Sequence, residues 1–379
     1  MSAFVLNDDQ QQYQKLANEF AQKELAHNAH RFDLSGEIAS DILKQSWEIG
    51  LANNCIAEEL GGLGLRLFDG CIIAEELGAG CAGIYGPLEA SYLTVQALQE
   101  QGSQAQKERY IKPLAEAPGF AGLADNLLSI EPRTTLSFQL DGESLILTGA
   151  ATIFNASFAQ FVLVLASEAP SGKVRALVVD RASLDSERCQ IGAKLNTLGR
   201  RASDVRRVEF SGARLATEQV LPAEIGGPSS PWKITVQRAQ CFLAAGAIGL
   251  ARQAMEHAIK YSQERKAFGR PLCEHQTVAF MIADMAKDIE AARLLTWQAA
   301  LACDAGQEDL VSSVTARAFS HDMAMRVALD AVQIYGGYGY SREYPVEKLM
   351  RDAKVYQVRQ GDTHTLKAHL GRQLVASAV

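Results

Sequence analysis

At 379 residues, 47% apolar and 21% charged, the chain is long enough to bury a large core, and its length predicts two or three domains. A formal charge of −7 offers neither nucleic acid nor an anionic membrane the basic surface it would require, so neither is expected as a partner. Seven scattered cysteines without C-x-x-C spacing fit a reducing compartment, the cytoplasm, better than a disulfide scaffold, and no metal-ligand pattern is visible. The N-terminus, MSAFVLNDDQQQ, shows no signal peptide, and the longest apolar run, CFLAAGAIGLA from Cys241, is too short to span a bilayer.

In chain order, residues 1–117 read as helical, with runs such as DQQQYQKLANEFAQKELAHNAHRF that carry few β-branched residues and no proline. Residues 118–226 read as a β domain. Its short runs, SLILTG, FVLVLAS, VRALVVD and VRRVEF, are separated by turn signals, with a hairpin expected at Asp141-Gly142. After a GGPSSPW break at Gly226 to Trp232, residues 227–379 return to helical periodicity. Val278, Met281, Ile282, Met285 and Ile289 form an apolar stripe, and further helices are expected near 235–264, 308–335 and 345–371. The fold class is therefore α+β and multi-domain: N-terminal helices, a middle barrel or sandwich, and a C-terminal four-helix bundle.

Three segments carry chemistry. In ERKAFGRPLCEHQ, Arg265 offers a guanidinium that can pair with a pyrophosphate, and Phe268 an aromatic to pack on a ligand; the plainer reading is a surface ion pair and a bundle plug. In QIYGGYGY, the glycines permit close backbone approach, although such a cluster also serves as a helix cap and turn. The third is VYQVRQGDTHTLKAHLGR, at whose centre stands an amide, Gln360.

Together with IAEELGGLGLRLFDGCIIAEELGAGCAGI and AVQIYGGYGYSREYPVEKLMRDAKVYQ, these segments resemble the acyl-CoA dehydrogenases, most closely the short- and medium-chain members. The resemblance implies a flavoprotein, commonly tetrameric, that desaturates acyl-CoA at the α and β carbons and passes electrons to an electron-transferring flavoprotein. By resemblance, Arg265, Phe268, Gln276, Gln333 and Gly337 contact the ADP half of an FAD held mostly by a neighbouring subunit. Ala267 stands where medium-chain members carry a hydroxyl.

The residues that would serve the chain's own flavin depart from the family. FAGLADNLLSIEPRTT replaces the T-E-P-x-x-G-S-D loop over the isoalloxazine, while Ile153 and Asn155 take the places of the ring-stacking aromatic and the following hydroxyl. A register shifted by one residue would put Phe154 at the aromatic position. In the family's Y-E-G-T motif the Glu is the base, and here the register gives Arg359-Gln360-Gly361-Asp362. The alternative base position is Ala239, and beside it Gln240 replaces a common Arg. Abstraction of an α-proton needs a positioned base with a free lone pair, so no catalytic residue is assigned. Asp362 and Glu89 are the candidates for a relocated acid, and His364 is another titratable group nearby.

This split predicts a subunit that is not catalytic alone and completes the ADP pocket of a catalytic acyl-CoA dehydrogenase partner in a hetero-oligomer. Some sterol-chain-degrading members resemble this arrangement. Two alternatives are a self-sufficient FAD-dependent dehydrogenase or enoyl-CoA reductase with a relocated acid, and a cofactor-free homo-oligomer that binds an acyl thioester or a protein.

Overall fold

A computed structural model describes residues 5–226 and 230–377, so part of the expected break, residues 227–229, lies outside it. Helix α1 (Asp8–Phe20) opens on a capping box in which Asn7 accepts from the Gln10 backbone and the Gln10 side chain returns the bond. A π-helical stretch (Ala21–Ala26), α2 (His27–Ser35) and α3 (Ser40–Glu48) follow, and α1, the π-helical stretch and α2 pack on the long α4 (Leu67–Gln101). The helical part closes with α5 (Gln104–Gln106), a π-helical turn (Lys107–Ile111) and α6 (Lys112–Glu116).

The β part contains β1 (Ala121–Ala124), β2 (Ser137–Asp141), β3 (Ser144–Phe154), β4 (Phe161–Glu168), β5 (Val174–Asp180), α7 (Arg181–Leu184), β6 (Cys189–Lys194), β7 (Val205–Ala216) and β8 (Val220–Ile225). They form one sheet in the order β6-β7-β3-β1-β4-β5-β8, and β2 bridges β3 and β4. The Asp141-Gly142 signal marks the β2–β3 hairpin, where Asp141 pairs with Ser144 and Gly142 has φ +63°.

The C-terminal part comprises α8 (Trp232–Glu264), a small hairpin of β9 (Lys266–Ala267) and β10 (Arg270–Pro271), α9 (Gln276–Asp304), α10 (Leu310–Tyr335), α11 (Val346–Val358) and α12 (Thr363–Ser377). The stripe on α9 faces the bundle core, with Met285 and Ile289 buried and Val278, Met281 and Ile282 packed against them. The single helix expected over 345–371 is two. Its break falls at Gln360 (φ +54°) and Gly361 (φ +91°), after which Asp362 caps α12 by accepting from the Thr365 backbone at 2.9 Å. Helix α8 is long and apolar enough to cross a bilayer, but 89% of its most apolar window is buried within the fold.

Glycines set the distance between α4 and α8. A Cβ on Gly249 would lie 1.9 Å from the Glu75 carbonyl oxygen, and one on Gly78 would lie 2.4 Å from that of Gly246. Two part-buried ion pairs tie α4 to its neighbours, Glu76 with Arg252 of α8 and Glu75 with Arg293 of α9. Within α4, Pro87 has no N–H for the Gly83 carbonyl, and the Ser203 hydroxyl supplies the missing donor at 2.9 Å. In this way the β6–β7 loop is drawn onto α4 beside the turn that carries Glu89. Replacing Gly249 by Ala forces these helices apart, and a loss of about 1–3 kcal/mol is expected in urea denaturation.

Candidate functional site

Gln360 is fully buried and its amide is committed to the β domain. Nε2 donates to the Ala124 carbonyl at 3.2 Å, and Oε1 accepts from the Leu128 backbone N–H at 3.0 Å. The loop after β1 is thereby folded inward, with Leu127 and Leu128 in the core. The same loop is held from α8, where Gln240 donates to the Leu128 carbonyl at 3.1 Å and Trp232 to that of Leu127 at 3.4 Å. Within the stretch that corresponds to the family's flavin-covering loop, Leu127, Leu128 and Ser129 thus pack as protein interior, while Arg133 and Thr135 are exposed.

The other ring-side positions do not fit a flavin either. Ile153 is fully buried in the core of the β domain. Both protons of the Asn155 amide are taken, by the Pro87 and Ala121 carbonyls at 2.9 Å each, so Asn155 clasps α4 to β1 and has no donor left for a ring nitrogen. Phe154 lies under a guanidinium, with Cζ of Arg359 4.1 Å from its ring centroid. Ala239 is buried on α8 and supplies no acid.

Neither candidate for a relocated acid is free to take a proton. Asp362 is an N-cap, and the N–H and hydroxyl of Thr365 hold its carboxyl below the usual range. Glu89 is fully buried between two guanidiniums: Arg200 contacts one oxygen, and Arg359 donates to the other at 2.8 Å. Burial alone would raise the Glu89 carboxyl, but Arg200 and Arg359, with Arg317 behind them, hold it below its ordinary value. A carboxylate stabilised in this way is a weak base. His364 is exposed.

Three arginines at this centre escape a reading from sequence alone. Arg200 comes from the β6–β7 loop, anchored by its backbone N–H on Asp352 and by Nε on the Ala82 carbonyl. Arg317, on α10, is fully buried and spans the α11–α12 break, donating to the carbonyls of Arg359, Gln360 and Gly361. A cation at the C-terminal end of α11 satisfies carbonyls that the broken helix leaves free. Burial, with Arg359 alongside, lowers its pKa to about 9. Arg317 also donates to Oε1 of Gln240, so a guanidinium reaches position 240 from a different helix. The available signals were the cation of Arg359 in place of the family's tyrosine, and the lone Arg317 within the otherwise weakly charged VTARAFSHDMA.

The second group of residues lies elsewhere and faces outward. Phe268 and Gly269 are the two loop residues of the β9–β10 hairpin, both at positive φ (+52° and +84°), the backbone of a primed two-residue turn. For an aromatic residue this conformation is unfavourable, and it holds the Phe268 ring 97% exposed. Arg265, just beyond α8, sits 5.9 Å from the Tyr338 ring, and the two share a groove of about 430 Å³ with Tyr261, Ile334 and Gly337. Stacked Tyr261 and Tyr335, 4.0 Å apart, support it. Gln333 is exposed on the last turn of α10, and Gln276 is exposed at the start of α9. The structure joins Arg265 and Gly337 in one groove; Phe268, Gln276 and Gln333 are exposed on neighbouring elements, and none lies at the Gln360 centre.

Comparison with known proteins places this architecture. Family models for the acyl-CoA dehydrogenase N-terminal and C-terminal domains match residues 7–118 and 232–375. The chain belongs to the acyl-CoA dehydrogenase family. Members of the family dehydrogenate acyl-CoA with FAD. The chain is 32% identical to a probable mitochondrial medium-chain specific acyl-CoA dehydrogenase of Caenorhabditis briggsae, covering 98% of this chain and 92% of that protein. It is also 32% identical to the short-chain specific acyl-CoA dehydrogenase of Megasphaera elsdenii, covering 94% and 96%. Butyryl-CoA dehydrogenase from Megasphaera elsdenii superimposes with a TM-score of 0.90 at 30% identity, over 98% of this chain and 99% of that one. A chain from a structure titled for the electron transferring flavoprotein of Acidaminococcus fermentans superimposes equally well, with the same identity and coverage.

Glu89 provides a test of the buried cluster. Because folding lowers its pKa, the clasp contributes fully above the ordinary glutamate range and is lost as the pH falls through the lower, folded value. Glu89→Gln leaves two guanidiniums without their carboxylate and is expected to cost about 3–5 kcal/mol at neutral pH. The gap to the parent should narrow as the pH falls well below the ordinary glutamate range, as read from urea midpoints at neutral and acid pH.

Proposed function

We propose that this chain is the non-catalytic subunit of a hetero-oligomeric, FAD-dependent acyl-CoA dehydrogenase, completing the ADP side of the FAD pocket of a catalytic partner. The observation that carries this reading is the locked amide of Gln360, which sits at the family's base position with both ends bonded to the β1 loop. Such a group does not take the α-proton, and both ends of the amide are already engaged. The reading draws further support from the opposite condition of Arg265, Phe268, Gln276, Gln333 and Gly337, all exposed. On this proposal the acyl-CoA, the base and the electron transfer to an electron-transferring flavoprotein belong to the partner, and this chain binds, orients and shields the adenosine end. A self-sufficient enzyme is disfavoured by the cap role of Asp362 and the double clasp of Glu89.

The test is flavin stoichiometry from the visible spectrum, for the chain purified alone and with a co-expressed partner. No flavin band is expected alone, and about one FAD per two chains in the complex; one FAD per chain in the isolated protein would sink the proposal. Arg265→Ala and Phe268→Ala are expected to weaken FAD retention by the complex while leaving the melting temperature of this chain alone unchanged, since both side chains are exposed.

A separate prediction concerns restoring the acid. Gln360→Glu removes the donor to the Ala124 carbonyl and sets two oxygens against each other, so it should destabilise the fold by about 1–3 kcal/mol. Acyl-CoA dehydrogenase activity of the variant, assayed with an artificial electron acceptor, is expected to remain at background.

A further inference from the structure

The centre around Glu89 contains more guanidinium than carboxylate. Arg359 is 3% exposed and spends only Nη1 on Glu89. Its Nε and Nη2 have no protein acceptor among the described residues. These two N–H groups lie along one edge of the planar guanidinium and point the same way, the arrangement that pairs with two oxygens of a planar anion. Phe154 covers one face of the guanidinium and fixes the plane of that edge. Around it, Nη1 of Arg200 and the hydroxyls of Tyr85 and Tyr356 also lack protein partners, and all three side chains are buried. The Tyr356 ring lies 4.8 Å from Cζ of Arg200, so these groups belong to one cluster.

The charge balance points the same way. Arg200, Arg317 and Arg359 surround one fully buried carboxylate, Glu89, and Asp125 at the edge accepts from the Gln360 backbone at 3.3 Å. Lys348 and Asp352 nearby neutralise each other. Asp362 also faces Arg317 from the exposed side of the helix break, so the balancing charge beyond Glu89 lies at the rim, and buried guanidinium N–H groups without an acceptor are strongly unfavourable. Guanidinium groups only donate, so a ligand that only accepts suits them.

We propose that Arg359 forms the floor of a buried binding site for a small planar monoanion of the carboxylate class, of which formate and acetate are the smallest members. The anion accepts two parallel hydrogen bonds from Nε and Nη2 and supplies the acceptors that the protein does not. Tyr85 and Tyr356 supply further donors at the periphery. The site uses residues of this chain alone and stands whether or not a catalytic partner exists.

Titration of the intact chain with ¹³C-formate, followed by NMR at constant ionic strength, tests this directly. Saturable binding at one formate per chain is expected, with density for a planar anion against Nε and Nη2 of Arg359 in crystals grown in formate. Binding that never saturates would overturn the proposal, as would density on that edge that is the same in formate and in chloride. Arg359→Lys keeps the charge but loses the two-donor edge, and formate binding should weaken about tenfold or more; unchanged binding would also overturn it. Should that variant fail to fold, the stoichiometry and density of the parent chain decide the matter.

Discussion

A carboxylate removed from water must be compensated where it stands, and Glu89 meets that requirement with two guanidiniums from distant parts of the chain. Glu89 comes from α4, Arg200 from the β6–β7 loop and Arg359 from the α11–α12 break, so one charged contact binds the helical, β and bundle parts together. The remaining geometry follows from it. The loop that carries Arg200 is held on α4 by Ser203, which takes the carbonyl that Pro87 leaves free, and by the Ala82 carbonyl. Arg359 is presented by a helix break that Arg317 holds open at its carbonyls. Gln360, next in sequence, is then turned toward β1 by its left-handed backbone and locks the loop above it.

Two surfaces of one fold therefore carry opposite characters. At the inner surface, Glu89, Asn155 and Gln360 are bonded to other protein groups, and burial multiplies the penalty for disturbing them. At the outer surface, the hairpin tip of Phe268 and the groove of Arg265 keep an exposed aromatic and a cation in fixed positions. Exposed aromatics next to an arginine are the composition of an interface core, which accords with a role in association.

Much of the fold was legible in the sequence because periodicity and turn chemistry are local. The β2–β3 hairpin and the α9 stripe required only spacing and an Asp-Gly pair. The helix expected over 345–371 was misread because apolar periodicity continues through Gln360, and only the tertiary bonds of Arg317 and Gln360 make the break worth its unfavourable backbone. At the site, the sequence revealed which residues were missing from a familiar pattern, since each absence is a property of one position. It did not reveal what took their place. The Glu89–Arg200–Arg359 clasp joins positions more than a hundred residues apart, and Asn155, at the place of the family's hydroxyl, has both amide protons engaged by distant carbonyls.

The locked amide also bears on how such a chain can change over time. Gln360 answers to Ala124 and Leu128 on one side, and its own carbonyl to Arg317 on the other, while Arg317 in turn answers to Gln240. Residues joined in one hydrogen-bond network do not contribute additively. A return to an acid at position 360 would first meet a loop shaped for an amide, and reshaping that loop would first meet the amide. Single changes at these positions are therefore coupled, and the network resists stepwise replacement of the amide.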